Sequence, residues 1–117
     1  MQEVLTGQYN IETFDPDKQK YKNVRKVVLK SNSHRLELEY NCILFEIKER
    51  NIVDIIIYKG VTVEELIPEE YNYACQGVCY RKTGDISYIS FGGMILIIEG
   101  EVDLQDLDNV CLAAKLI

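Results

Sequence analysis

The chain alternates apolar and polar residues with a period of two, and this most limits what it can fold into. Residues 36–44 read Leu36-Glu37-Leu38-Glu39-Tyr40-Asn41-Cys42-Ile43-Leu44, apolar at even positions and polar at odd ones until Ile43. A helix places neighbours on one face every three to four residues; a strand does so every second residue. The segment therefore predicts a half-buried strand. Residues 24–30 (VRKVVLK) place Val27 and Leu29 on one face with Arg25, and their β-branched content suits a strand. Residues 52–58 (IVDIIIY), bounded by Asn51 and Gly60, predict a strand covered on both faces.

The pattern continues towards the C-terminus. Residues 73–82 predict a strand with Gly77 in its middle, where a glycine marks a bulge, a bend or a close approach of another backbone. Thr83-Gly84-Asp85 predicts a turn, with 73–82 and 86–91 as the arms of a hairpin. Gly92-Gly93 predicts a sharp corner before a strand over 94–98, as barrels need where one strand serves two sheets. Residues 110–117 read as a terminal strand. Helical signals are few. Thr62 and Glu65 form a capping-box pattern that Pro68 soon stops, and 103–107 predicts one helical turn capped by Asp103. The sum is an all-β, closed antiparallel β-barrel or sandwich of about eight short strands. With 117 residues, no linker and no repeat, a single domain over 1–117 is expected, with a short capped connection at about 60–70.

Charge and cysteine usage narrow the function classes. The net charge is −6, which disfavours nucleic acid and membrane surfaces as partners. The charge is segregated. Residues 18–35 hold seven bases and no acid, and residues 83–114 hold six acids and no base. Such blocks are either solvated faces or complementary docking surfaces. The N-terminal residues show neither a basic region nor an apolar stretch of the secretory type, so a cytosolic or nuclear protein is expected. Cys42, Cys75, Cys79 and Cys111 are then expected to be reduced. On a strand, Cys75 and Cys79 share a face roughly 13 Å apart, too far for a shared metal or a disulfide, so they read as small buried hydrophobes.

Catalytic signals are sparse. The one histidine, His34, sits in a turn (SNSHR) and reads as solvent-exposed. The chain has no GxSxG, HExxH, Walker A or GxGxxG pattern. The acid pairs Glu64-Glu65 and Glu69-Glu70 lie in a polar stretch and read as solvated. No enzyme activity, cofactor or metal is expected. Nucleic-acid binding has raw materials: eight tyrosines for stacking, and a basic patch at Lys20, Arg25 and Lys26. The acidic balance argues against it.

The C-terminal half carries a family resemblance. Tyr71-Asn72-Tyr73-Ala74-Cys75-Gln76-Gly77-Val78-Cys79-Tyr80, then Tyr88-Ile89-Ser90-Phe91-Gly92-Gly93-Met94-Ile95-Leu96 and Glu99-Gly100, resembles the small eighth subunit shared by nuclear RNA polymerases I, II and III. That family has a Tyr-x-Tyr-x-x-x-Gly-x-x-Tyr strand, an aromatic-Ser-aromatic-Gly-Gly corner, and a Leu-x-x-Leu loop matched here by Leu104 and Leu107. Phe14-Asp15-Pro16-Asp17 followed by Tyr21 to Val24 is similar to its Asp-Pro turn between the first two strands, and Leu36 to Phe45 to its long acidic-apolar strand. The resemblance implies a barrel related to the oligonucleotide-binding fold, with near-two-fold internal pairing. It also implies a nuclear, non-catalytic subunit that docks on the largest polymerase subunit among the other core subunits and supports assembly. Direct nucleic-acid or membrane contact is not expected. The alternative is a free-standing oligonucleotide-binding module.

The chain departs from the family at three places. The long flexible loop before the Tyr-x-Tyr strand is replaced by a compact segment between Lys59 and Tyr71, Ile97 stands where the family often has Arg, and Lys115 is the one base near the C-terminus. Candidate partner-binding residues are Tyr71, Tyr73, Phe91, Gly92 and Gly93. The two tyrosines are expected on one strand face, as core rim or interface anchors. Phe91 reads as core more than interface. Gly92 and Gly93 serve either the corner or the close approach of a partner strand. An edge strand of the barrel would be able to accept a strand from the largest subunit, and no sequence signal says which edge.

Overall fold

The structure, a computed structural model, describes residues 2–16, 21–60 and 70–117. Among these the chain is all-β, without a helix. The strands are β1 (Gln2–Phe14), β2 (Val24–Lys30), β3 (Arg35–Asn41), β4 (Ile52–Lys59), β5 (Tyr73–Thr83), β6 (Ile86–Phe91), β7 (Met94–Glu99) and β8 (Asn109–Leu116). They close into an antiparallel barrel in the order β1-β2-β3-β7-β6-β5-β8-β4, with β4 returning to β1. The Thr62–Glu65 capping box and Lys20 lie outside the described residues.

The order contains an internal symmetry. Strands β1–β4 lie side by side as 4-1-2-3, and β5–β8 as 8-5-6-7. Each half is a Greek key. The halves join third strand to third (β3·β7) and fourth to fourth (β4·β8). The first strand of each half is shared in the same way. β1 pairs with β4 over Gln2–Asn10 and with β2 over Asn10–Phe14. β5 pairs with β8 over Tyr73–Val78 and with β6 from Val78 to Thr83. This handover gives the strand tilt that a closed barrel requires.

Alternation explains the core. Leu36, Leu38 and Tyr40 point inward and are fully buried, while Arg35, Glu37, Glu39 and Asn41 lie outside. Val27, Leu29, Ile55, Ile57, Ile89, Leu96, Ile98 and Leu112 complete the centre. Each fully buried aliphatic side chain contributes about 1.5–3 kcal/mol by leaving water. The reading of 52–58 as covered on both faces holds only at Ile56, which faces away from the core and is still buried; on the same face Ile52 is exposed and Asp54 and Tyr58 are half-buried. Cys79 is fully buried, Cys75 packs against the core, and none of the four cysteines is in a disulfide.

Both barrel ends are closed by the connection between the third and fourth strands of a half. At the upper end, the β3–β4 connection inserts Phe45 and Ile47. Phe45 stacks on Tyr73 with centroids 5.0 Å apart and meets Tyr40 edge-on at 6.4 Å. At the lower end, the β7–β8 connection inserts Val102 and Leu104. Both plugs have the same spacing, two apolar residues with one polar residue between.

Several expectations are corrected. The strand predicted to reach Leu44 ends at Asn41, because the Asn41 Oδ1 accepts the N–H groups of Ile43 (3.0 Å) and Leu44 (3.2 Å) and turns the chain. Residues 103–107 form no helical turn. The chain turns at Gln105–Asp108 instead, and Asp108 rather than Asp103 accepts the Gln105 N–H at 2.9 Å. Gly92-Gly93 is not a corner within one strand. It is the two-residue turn of the β6–β7 hairpin, with φ of 63° and 102°, a left-handed pair that glycine adopts without steric cost. The thirteen-residue β1 carries little regular alternation, and from the residues only the resemblance implied a strand before Phe14.

Candidate partner-binding surfaces

The topology gathers the acidic block at one end and divides the basic block, since Lys30 and Arg35 flank the β2–β3 turn and Arg35 pairs with Glu99 at 3.0 Å. The β1–β2 and β3–β4 connections and the β6–β7 turn share the upper end. The β2–β3 and β5–β6 turns and the β7–β8 connection share the lower end. Lys22, Arg25 and Lys26 therefore sit at the upper end, and Asp85, Glu99, Glu101, Asp103, Asp106 and Asp108 at the lower one.

Much of this charge has partners within the fold. Arg25 lies 2.8 Å from Asp15 and 4.5 Å above the Phe14 ring. Asp15, in a left-handed conformation (φ 45°), also accepts the Lys26 N–H at 3.0 Å. The basic patch expected at Lys20, Arg25 and Lys26 is thus weakened at Arg25, whose charge is matched by Asp15. At the lower end Lys59 reaches Asp103 (3.3 Å) and Asp108 (3.9 Å), and Lys82 reaches Glu101 (3.7 Å) and donates to the Val102 carbonyl. The Gln2 amide (2.7 Å) and Lys59 hold the Asp103 carboxyl below its ordinary range.

His34 is more than an exposed turn residue. Its Nε2 lies 2.8 Å from the Glu101 carbonyl, which can only accept, so Nε2 carries a proton and donates, while Nδ1 bonds the Ser33 hydroxyl at 2.8 Å. The ring ties the β2–β3 turn to the lower plug.

The motif residues fall mainly inside. Tyr73 and Phe91 are 5% and 4% exposed and belong to the core cluster. The Tyr73 hydroxyl accepts the Asn41 N–H at 3.2 Å. Tyr71 does not share the face of Tyr73. It precedes β5, is half-buried, and lies under the Lys115 ammonium at 4.9 Å. Gly92 and Gly93 lie at the upper end, where an added Cβ would meet nothing within 4 Å. Turn geometry, not crowding, accounts for both glycines.

The exposed apolar residues are different ones. Ile43 and Leu44 are 71% and 72% exposed, and Tyr21 is 67% exposed. All three belong to the upper-end connections. The Asn41 side chain fixes the turn that presents Ile43 and Leu44, and the Phe45 N–H on the Asn41 carbonyl (3.0 Å) locks it. Apolar side chains held rigidly in water are costly unless a partner covers them. The signal for them was in the sequence, where alternation fails at Ile43. A second exposed group lies on β5 and β6, where Tyr80 is 47% exposed, its ring 6.1 Å from Tyr88, with Arg81 above Tyr88. No protein-family model matches the chain, and no curated protein matches it.

Proposed function

We propose that the chain is a non-catalytic structural subunit of DNA-directed RNA polymerases I, II and III in the nucleus, docking on the largest subunit and supporting assembly. The observation that carries a protein-docking reading is the upper rim. Tyr21, Ile43 and Leu44 stand exposed on connections anchored to the barrel. The polymerase assignment rests on the motif resemblance. The closed barrel of two Greek keys fits the near-two-fold pairing that the resemblance implies.

The test is affinity purification of the tagged chain from its own cells, with identification of the co-purifying chains. The two largest polymerase subunits are expected. Their absence overturns the polymerase reading. Ile43→Ser with Leu44→Ser, both exposed, should leave the melting temperature nearly unchanged and weaken co-purification.

The free-standing oligonucleotide-binding reading has one favourable observation, the Tyr80–Tyr88–Arg81 group, which offers stacking faces with a cation. The acidic lower end and the Arg25–Asp15 pairing oppose it. Binding to single-stranded DNA or RNA is expected to be weak at ~150 mM salt. Tight, salt-sensitive binding lost on substitution of Lys20, Arg25 and Lys26 would favour the oligonucleotide reading instead.

A further inference from the structure

We infer that the N-terminal half of β1, centred on Thr6 and Gln8, is a strand-acceptor edge that pairs with an extended segment of a partner protein. The inference rests on the reading of the chain as a protein-docking subunit and names the edge that such a partner uses.

The ladder parity leads to these residues. The Ile117 N–H donates to the Ile52 carbonyl at 2.9 Å, and the Gly60 N–H to the Asn109 carbonyl at 3.0 Å. Even-numbered β4 residues therefore bond to β8. Antiparallel strands direct successive residues to opposite sides, so odd-numbered β4 residues bond to β1. The register then assigns Leu5, Gly7 and Tyr9 to the β4 ladder, opposite Ile57, Ile55 and Val53. Thr6 and Gln8 point their N–H and C=O groups the other way. Pairing with β2 starts at Asn10↔Lys30, so among the described residues no strand lies beside Thr6 or Gln8 on that side. Among the described residues no backbone or side-chain hydrogen bond fills those positions. Both residues are exposed.

A closed barrel has no edge strand in the usual sense, yet the handover leaves this one open over half its length. The equivalent stretch of β5 differs. Ser90 crowds Gly77 there, and Gln76 already has an interaction of its own. Along Val4–Gln8 the β1 edge has no Pro and no Lys, the usual guards against unwanted pairing. Where β2 leaves off, a notch of about 330 Å³ is lined by Gln8, Asn10, Lys30, Ser31 and Asn32. It gives an incoming chain room and polar partners at one end. At the other end stand Glu3 and Asp103, the latter bonded to Gln2. The fitting occupant is an extended segment of a partner protein, hydrogen-bonding through its backbone, with a base where it passes Glu3.

Amide hydrogen exchange tests this, first on the isolated chain and then on the complex affinity-purified from cells. In the dilute isolated chain Thr6 and Gln8 should exchange at least ~100-fold faster than Gly7 and Tyr9. In the complex they should become protected to a similar degree. Protection already present in the dilute isolated chain overturns the inference, because the edge is then covered from within. Protection that appears only on concentrating the isolated chain also overturns it, since the occupant is then a second copy. Exposure persisting in a complex that contains the large polymerase subunits overturns the edge and spares the polymerase reading. Protection in a complex without those subunits does the reverse. Gln8→Pro removes an outward N–H without breaking the β4 ladder, and should reduce co-purification at least ~10-fold in chain that still melts cooperatively. Undiminished co-purification of that variant overturns the inference, and a variant that fails to fold leaves the exchange experiment to decide.

Discussion

Gly77→Ala tests the closeness of β5 and β6 directly. A Cβ at Gly77 would stand 2.0 Å from the Ser90 carbonyl oxygen and 2.8 Å from Phe91 Cδ1, whereas ordinary contact begins at 3.4 Å. The nearest atom is backbone, so no side chain can rotate away. The strands must part by roughly an ångström or more, in an interior packed too densely to absorb it. Val78↔Ser90 is the first β5·β6 pair and lies next to the clash, so its ladder bonding is strained or lost. Overpacking costs about 1–3 kcal/mol, and a lost ladder bond adds about 1 kcal/mol. The expected loss is about 3 kcal/mol, a large share of the 5–15 kcal/mol typical of a domain. Near 4 °C per kcal/mol, the melting temperature should fall by about 10–15 °C. Urea denaturation should show a lower midpoint with an unchanged slope. Gly84→Ala, at a turn where an added Cβ meets nothing within 4 Å, supplies the control; its left-handed backbone alone should cost about 1 kcal/mol. If Gly77→Ala lies within about 0.5 kcal/mol of the parent, the close approach is wrong.

Three further predictions concern polar and titratable groups. The Tyr40 hydroxyl is buried with no partner among the described residues, and burial pushes its pKa up to about 12. Tyr40→Phe should therefore be neutral or stabilise by about 1 kcal/mol in chemical denaturation; a loss of that size would reveal a partner. Burial pushes the Cys75 thiol up to about 12 from 9.0. Iodoacetamide at about pH 8 should then modify native Cys75 roughly a thousandfold more slowly than in the unfolded chain, measured by peptide mass spectrometry. Asp103 is held below its ordinary 3.8 by Gln2 and Lys59, so its contacts stabilise the fold above that pH and are lost as pH falls through the lowered value. Asp103→Asn should flatten the acid limb of stability against pH below 3.8 and leave the alkaline side unchanged; an unaltered acid limb would show that these contacts do not couple to folding.

The strands were largely legible because alternation is a local property. β2, β4, β5, β6 and β7 fall within a residue or so of the predicted bounds. The exceptions have local causes too. The Asn41 side chain ends β3 early, and the Asp108 side chain rather than Asp103 shapes the lower loop. The candidate site was less legible. The motif residues Tyr73 and Gly77 on β5 and Phe91 on β6 are buried or closely packed, so the motif's specificity reports the fold more than the interface.

The sequence by itself determined the all-β class, the inward faces of most strands and the segregation of charge. Each follows from spacing along the chain and needs no knowledge of what lies beside it. Tertiary structure decided the strand order, the two plugs, the rigid exposure of Ile43 and Leu44, and the open stretch of β1. These depend on which strand a backbone group faces. Every non-proline residue carries the same donor and acceptor, so their satisfaction is a matter of neighbours and leaves no trace in residue type. Thr6 and Gln8 look like ordinary polar strand residues. Only the handover from β4 to β2 leaves their backbone groups unpaired among the described residues.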